Sequence, residues 1–177
     1  LVATEKYSDT LADLSNGGIA IDSSMAQTIF SDGAAAFVFT YGTDIQVLAY
    51  GNEKLPEESD CYIRMPIDDN RRTDSSLAIS IPNSTNGKLQ QEGPKVIDAI
   101  LSSLPALSTR VMEKANIKAS DIKLVIPHQA SGRMMARLSK GMPEYYKDNM
   151  FEDLDDGNFS SASIPKAWAR AIKEGKI

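Results

Sequence analysis

The pattern of apolar and polar positions changes along the chain from short apolar runs to longer amphipathic stretches. The apolar runs that predict strands cover residues 1–4, 27–41 and 44–51. Within the second run, the small residues Gly33 to Ala36 indicate a buried strand that packs very closely against neighbouring backbone. Residues 52–94 are polar and irregular, which predicts exposed loops, with a solvated charged cluster at 68–74 and an extended segment at 77–81.

After Gly93-Pro94 the apolar residues recur at helical spacing. They predict a long helix over residues 95–117, with Asn116 as its stop. Pro105 lies inside this stretch and is expected to kink or interrupt the helix, because proline lacks a backbone N–H and clashes with the preceding turn.

One further strand and two helices complete the pattern. The apolar residues 124–127 predict a strand that ends at His128, and residues 131–141 predict a short helix closed by Gly141. The apolar side of that helix comprises Met134, Met135 and Leu138. The last helix carries Ile164, Ala167, Trp168, Ala171 and Ile172 at helical spacing, and Gly175 terminates it. Alternating strands and helices with a long crossover predict an α/β fold with a mixed sheet.

Composition narrows the class of protein. A chain of 177 residues with 42% hydrophobic and 24% charged residues is long enough for one domain with a full core. A net charge of −5 without a clustered basic face argues against a general nucleic-acid binder. No apolar run reaches membrane-spanning length, and no signal peptide is visible. The single cysteine, Cys61, favours a reducing compartment, hence the cytoplasm. The glycosylation sequons at Asn83 and Asn158 are interpreted as chance matches.

Motifs for several kinds of chemistry are missing from the sequence. Neither a phosphate-binding loop nor a dinucleotide-binding glycine motif is present, and the G-x-S-x-G nucleophile elbow is absent. One histidine and one distant cysteine leave only carboxylates for a metal, so a metal site is not expected. The remaining candidates are His128, at a strand end, and Asn158, in a Gly-Asn turn. Spacing alone favours purely structural roles for both, with serines 160, 161 and 163 as helix caps.

The local motifs add a resemblance. The segments "VIPHQASGRM" and "GNFSSASIPKAW" resemble two motifs of the β-ketoacyl-ACP synthase III family of condensing enzymes, in the thiolase superfamily. "IFSDGAAAFVF", "LVATEKYSD" and "QEGPKVIDAI" are similar to three further blocks of that family, in the same order. The resemblance implies a thiolase-like fold, layered α/β/α/β/α with mixed five-stranded sheets in the complete enzyme.

The resemblance also implies a reaction. In this family a cysteine takes an acyl group from acyl-CoA, and malonyl carried on acyl carrier protein loses carbon dioxide and attacks the thioester. His128 and Asn158 match the histidine and asparagine of the Cys-His-Asn triad. Decarboxylation places negative charge on the malonyl thioester oxygen, which two fixed N–H donors stabilise as it forms. One such donor is typically worth about 2.7–4 kcal/mol.

Substrate and partner contacts follow from the same resemblance. Arg133 matches an arginine that the family places near the mouth of its substrate tunnel, where the anionic carrier and CoA arrive. Without the resemblance, Arg133 is equally well interpreted as an ordinary exposed helix residue. Ala130 and Ser131 are implied to line the entrance, and Gly93 to allow close approach of the pantetheine arm. No cofactor is implied, since CoA and phosphopantetheine thioesters are substrates. The complete enzyme is expected to be a homodimer.

The chain departs from the family pattern at several places. Ser131 replaces an asparagine, and one glycine of the usual strand is missing from "SDGAAAF". The nucleophilic cysteine is expected upstream of residue 1, since Cys61 matches no nucleophile motif. We therefore expect residues 1–50 to end an N-terminal half, and 51–177 to form a C-terminal half truncated before the last Gly-rich strands. Such a chain is not expected to turn over alone.

Two alternatives stay open at this stage. One is a non-catalytic thiolase-fold half that acts as a partner or docks an acyl carrier. The other keeps the triad and changes the reaction, because related enzymes transfer or condense other acyl groups.

Overall fold

The computed structural model describes residues 2–5, 30–42, 45–54, 63–64, 90–91 and 93–177. The predictions for the extended segment 77–81 and the charged cluster 68–74 lie outside these residues, as does Cys61. Among the helices in the described ranges, none combines the length and the apolar content that crossing a membrane requires.

The described strands form two short antiparallel ladders. β1 (Val2–Glu5) pairs with β2 (Gly33–Ala36), and β3 (Ile63–Arg64) pairs with β4 (Gln90–Gln91). Two isolated parallel bridges join Phe30 to Asn158 and Val125 to Met150. The described part therefore contains both antiparallel and parallel strand pairing, as the predicted mixed sheet requires. This pairing forms two-stranded ladders and single bridges, not five-stranded sheets.

The helices are α1 (Gly93–Ala115), α2 (Gly132–Gly141), α3 (Glu144–Asp148) and α4 (Ser163–Lys173), and 3₁₀ turns cover Ala119–Asp121 and Ser160–Ala162. Of the two expected effects of Pro105 on α1, a kink or an interruption, the interruption is wrong, because the helix runs through it. Proline inside a helix costs about 3 kcal/mol. Burial of the apolar face around Ile97 against α2 offsets that cost.

Two helix ends confirm the predicted stops. α1 ends at Ala115, and Asn116 adopts φ 54°, the left-handed conformation in which the following N–H groups reach the last carbonyls. Ile117 N–H donates to the carbonyl oxygen of Met112 at 3.1 Å. α4 ends in the same way: Gly175 has φ 68°, and Lys176 N–H donates to the carbonyl oxygen of Ala171 at 2.9 Å.

Gly141 does more than end α2. It is the last residue of the helix, and a Cβ atom built on it would lie 2.7 Å from Cδ2 of Leu101 on α1. A side chain there would force the two helices apart, so the glycine permits their close approach.

An extended segment at residues 124–127 lies between two layers of helices. Val125 packs into a cluster built from α1, α2 and α3, whose buried members are Ile97, Met135, Leu138, Met142 and Tyr146. Leu124 and Ile126 pack on the opposite side, against Ala167 and Ala171 of α4. This alternation is the two-residue period of a strand. The predicted strand before His128 is thus present, as an extended segment with one parallel bridge.

The predictions for residues 27–41 and 44–51 are only partly confirmed. Of the first run, the described ladder covers Gly33–Ala36 alone. The described residues of the second, 45–51, form no strand, and Ile45, Val47, Leu48 and Tyr50 are exposed. Apolar composition favours a strand only where a partner supplies hydrogen bonds, and no described segment pairs with this one.

Candidate functional site

The loop that carries the single histidine begins where the extended segment 124–127 ends. Val125 N–H donates to the carbonyl oxygen of Asn149 at 2.8 Å, and the carbonyl oxygen of Val125 accepts from Phe151 N–H at 2.9 Å. Pro127 is buried, whereas His128 is partly exposed. The segment therefore presents the imidazole at its end, as the sequence predicts.

One edge of the imidazole rests against the protein. Nδ1 of His128 lies 2.6 Å from Oγ of Ser163, the first residue of α4. Although much of the residue is exposed, desolvation on the covered side lowers the pKa of His128 below its ordinary 6.5. Burial removes the water that stabilises imidazolium, so the neutral ring is favoured.

Gln129 holds this loop in place. Its side chain is 1% exposed, and Nε2 donates to the carbonyl oxygens of Pro127 at 2.8 Å and of Phe151 at 3.2 Å. Oε1 accepts from the backbone N–H of Asp153 at 2.8 Å. The amide thus joins the histidine loop to the segment after Met150. Sequence reasoning missed this residue, although it lies inside the motif that suggested the site.

Asp153 anchors the other end of this connection. Its carboxylate is fully buried and accepts hydrogen bonds from Lys166 at 2.9 Å and from Arg170 at 2.5 Å. Burial by itself raises the pKa of the carboxyl, but these two bonds outweigh it, and the pKa lies below its ordinary value. Lys166 and Arg170 lie one turn apart on α4, so the pair fixes that helix beside the histidine loop.

Asn158 lies in the turn that precedes α4. Gly157 has φ 89°, a conformation that side chains disfavour, and confirms the predicted turn. Asn158 is 4% exposed, and its Oδ1 accepts from the backbone N–H of Ser160 at 2.8 Å. Its backbone oxygen accepts from Ser31 N–H at 2.9 Å. No hydrogen bond within the described residues engages Nδ2.

The ring of Phe159 explains why residue 33 is a glycine. A Cβ atom on Gly33 would lie 2.2 Å from Cδ1 of the Phe159 ring, far inside van der Waals contact. The strand is closely packed at Gly33, but against an aromatic ring and not against backbone as predicted, and its residues alternate between partly buried and exposed, so the prediction of a buried strand is wrong. This contact sets the position of the residue that follows Asn158.

Ser163 connects the two candidate residues. Its hydroxyl contacts His128, and it belongs to the segment from Asn158 to α4. The structure therefore brings the histidine against the segment that carries the asparagine. The prediction that the serines cap a helix is wrong for α4, whose N-cap is Ala162 without a side-chain hydrogen bond.

An apolar cavity of about 580 Å³ opens beside the histidine. Its walls are formed by α1, residues 125–127, α2, Tyr146 and Glu53, and His128 supplies one of the few polar groups in the lining. Burial, and then the neighbouring Tyr145, raise the pKa of Tyr146 to about 12, so its phenol stays neutral. Asn158 does not line this cavity.

The four predicted substrate-contact residues lie at helix starts. Ser131 is the N-cap of α2, and its Oγ accepts from Met134 N–H at 3.3 Å; Ala130 precedes it and is half-buried. Arg133 is exposed in the first turn of α2 and makes no ion pair within the described ranges. Gly93 opens α1, and a Cβ there would meet nothing within 4 Å.

Among the described residues, no group of three or more histidine, cysteine, aspartate or glutamate side chains is arranged to hold a metal ion.

Comparison with known proteins identifies relatives of the C-terminal part. Residues 112–177 match the family 3-oxoacyl-[acyl-carrier-protein (ACP)] synthase III C terminal. The β-ketoacyl-[acyl-carrier-protein] synthase III of Staphylococcus aureus (strain Newman) is 43% identical over 94 residues, which are 51% of this chain and 29% of the relative. The enzyme of the same name from Clostridioides difficile (strain 630) is 29% identical over 157 residues, 88% of this chain and 46% of the relative.

A solved structure shows the same fold. The crystal structure of 3-oxoacyl-(acyl carrier protein) synthase III from Pseudomonas aeruginosa PAO1 matches all of this chain with a TM-score of 0.68 at 23% identity. The match covers 49% of that protein, so this chain spans about half of its length. The alignments cover 29% and 46% of the lengths of the two curated relatives. The thiolase-like fold implied by the motifs is confirmed, and residues 112–177 are similar to the C-terminal part of the 3-oxoacyl-[acyl-carrier-protein] synthase III family.

Proposed function

We propose that this chain supplies the decarboxylating half of a condensation site, in which an acyl primer from acyl-CoA is joined to malonyl carried on acyl carrier protein. His128 and Asn158 are the two donors to the malonyl thioester oxygen. The observation that carries the proposal is that each residue has one polar atom held by the protein, Nδ1 of His128 by Ser163 and Oδ1 of Asn158 by Ser160, and a second side-chain nitrogen that makes no hydrogen bond within the described residues.

The chemistry follows from charge. When the malonyl C–C bond breaks, carbon dioxide leaves and the electron pair forms an enolate with negative charge on the thioester oxygen. Nε2–H of His128 and Nδ2–H of Asn158 donate to that oxygen, which lowers the barrier without a change of protonation state. The enolate carbon then attacks the acyl thioester, the thiolate leaves, and a 3-oxoacyl thioester forms. The neutral imidazole favoured by the lowered pKa of His128 suits this role.

The surroundings of His128 suit a thioester substrate. The apolar walls of the adjacent cavity favour a hydrocarbon or pantetheine chain over a charged group. Arg133 stands exposed in the first turn of α2, the helix that follows the histidine loop, where it is available to the anionic carrier or to CoA. Ala130, Ser131 and Gly93 complete the proposed entrance, and the acyl-bearing cysteine is contributed from outside the motifs of this chain.

The test separates decarboxylation from acyl transfer. In the complete polypeptide that carries this sequence, His128→Ala is compared with Lys140→Ala, which replaces an exposed residue of α2. Release of carbon dioxide from malonyl carried on acyl carrier protein is expected to fall about 10²–10³-fold in the first variant only, the usual loss for one oxyanion donor. Acyl transfer from acyl-CoA to the cysteine, measured as a mass gain, is expected to persist. Unchanged decarboxylation by His128→Ala contradicts the proposal.

A second candidate function is a docking module for an acyl carrier without catalysis. It is supported by the exposed Arg133, which has no ion-pair partner in the described residues. Carrier binding that persists in the complete polypeptide, with no decarboxylation in the wild type, would favour this function.

A further inference from the structure

The hydroxyl of Ser163 has an unusually restricted set of partners. Ser163 is 1% exposed, so water does not satisfy it. Within the described residues, Oγ contacts only Nδ1 of His128 at 2.6 Å and the backbone N–H of Gln129 at 3.3 Å. A backbone N–H only donates, and therefore occupies one lone pair of the hydroxyl oxygen. The hydroxyl hydrogen then has one acceptor within reach, the Nδ1 lone pair.

From this we infer that Ser163 is a positioning residue that fixes His128 in the neutral tautomer with the proton on Nε2. In this tautomer Nδ1 accepts from the Ser163 hydroxyl, and Gln129 N–H donates to the same oxygen. In the other tautomer, and in imidazolium, Nδ1 carries a proton. Two donors would then face one oxygen, and the buried hydroxyl hydrogen would have no acceptor, which is unfavourable.

The surroundings hold Ser163 in place. Gln129, which donates to Ser163, is fixed through its side chain to the backbone N–H of Asp153. The carboxylate of Asp153 pairs with Lys166 and Arg170 on α4, the helix that Ser163 begins. The histidine loop and this helix are thus joined at two places, and the hydroxyl lies at one of them. The ion pairs of Asp153 with α4 oppose small displacements that would let the Ser163 hydroxyl point away from Nδ1 of His128.

The consequence for the site rests on the proposed function. If the Nε2–H of His128 is the donor to the malonyl oxygen, Ser163 keeps that proton on the nitrogen that faces the ligand. The tautomer itself is a property of the free protein, and it is measured without substrate.

The test uses the fact that the sequence holds one histidine. The chain is labelled with ¹⁵N-histidine, and long-range ¹H–¹⁵N correlation at a pH where the ring is neutral reports both nitrogens of one residue. The wild type is expected to show an unprotonated Nδ1 and a protonated Nε2. In Ser163→Ala the two shifts are expected to move towards each other as both tautomers become populated. Ser161→Ala, an exposed serine of the preceding turn, is expected to retain the wild-type shifts.

Each outcome decides the inference. A protonated Nδ1 in the wild type overturns it, and this measurement requires no variant to fold. Wild-type shifts in a folded Ser163→Ala also overturn it, because the tautomer would then be fixed by another group. Failure of the proposed function is recognised separately: the tautomer would respond to Ser163→Ala as expected, while His128→Ala in the complete polypeptide would leave decarboxylation intact.

Discussion

Replacement of Gln129 by methionine is expected to destabilise the fold strongly, although it preserves most of the side-chain volume. Gln129 is 1% exposed and makes three hydrogen bonds through its amide, two to carbonyl oxygens and one from a backbone N–H. Each such bond contributes about 1 kcal/mol to the free energy of unfolding, and its buried partner is left unsatisfied when it is lost. Methionine fills the space without replacing any of these bonds, so the expected loss is about 3 kcal/mol.

The assay is urea unfolding of this chain, followed by circular dichroism, with wild type and variant compared at one pH. The exposed neighbour Glu152 supplies the control Glu152→Ala, which is expected to lie within about 0.5 kcal/mol of the wild type. A loss below about 1 kcal/mol in Gln129→Met would refute the reasoning, because the amide could not then be the connection that holds the histidine loop.

Three further predictions concern packing, titration and charge. Gly33→Ala should lower the free energy of unfolding by about 1–3 kcal/mol, because the added methyl group would collide with the Phe159 ring. Gly42→Ala, which has open space around it, should have little effect. Equal effects of the two variants would contradict this explanation. Folding lowers the pKa of His128, so below about pH 6.5 the folded state binds fewer protons than the unfolded state. The free energy of unfolding should therefore fall as the pH drops through this range. His128→Gln should lose that part of the dependence, and an unchanged slope would argue against the shift. In the complete polypeptide, Arg133→Glu should raise the KM for carrier-bound substrate more than the KM for a small CoA thioester. The control Lys140→Glu should raise the KM for carrier-bound substrate less. Equal effects of Arg133→Glu on both substrates would exclude a docking role.

Local signals in the sequence were sufficient to predict α1, α2 and α4 and where each of them ends, whereas α3 was not predicted. Asn116 and Gly175 adopt the left-handed conformations that helix stops favour, and the apolar spacing of α2 places Met135 and Leu138 in the core. These features depend on contacts within a few residues. The end of the strand at His128 was also predictable, because an apolar run followed by proline has few alternative conformations.

Features that depend on distant partners could not be predicted in this way. Residues 44–51 have the composition of a strand, but pairing requires a second segment, and composition does not reveal one. The roles of Gln129 and Ser163 likewise require that the segments around 129, 153 and 163 meet in space. A serine before a helix looks like a cap in sequence, and only the fold turns its hydroxyl towards an imidazole.

The central claim is that Asn158, together with His128, donates an N–H to the developing enolate. The most direct measurement is the rate of malonyl decarboxylation by Asn158→Asp in the complete polypeptide. Aspartate preserves the size of the side chain and an oxygen for Ser160 N–H, but it removes the Nδ2 donor and adds negative charge. The account predicts a fall of about 10²–10³-fold, with acyl transfer to the cysteine retained. A variant that folds, transfers the acyl group and decarboxylates at the wild-type rate would contradict it.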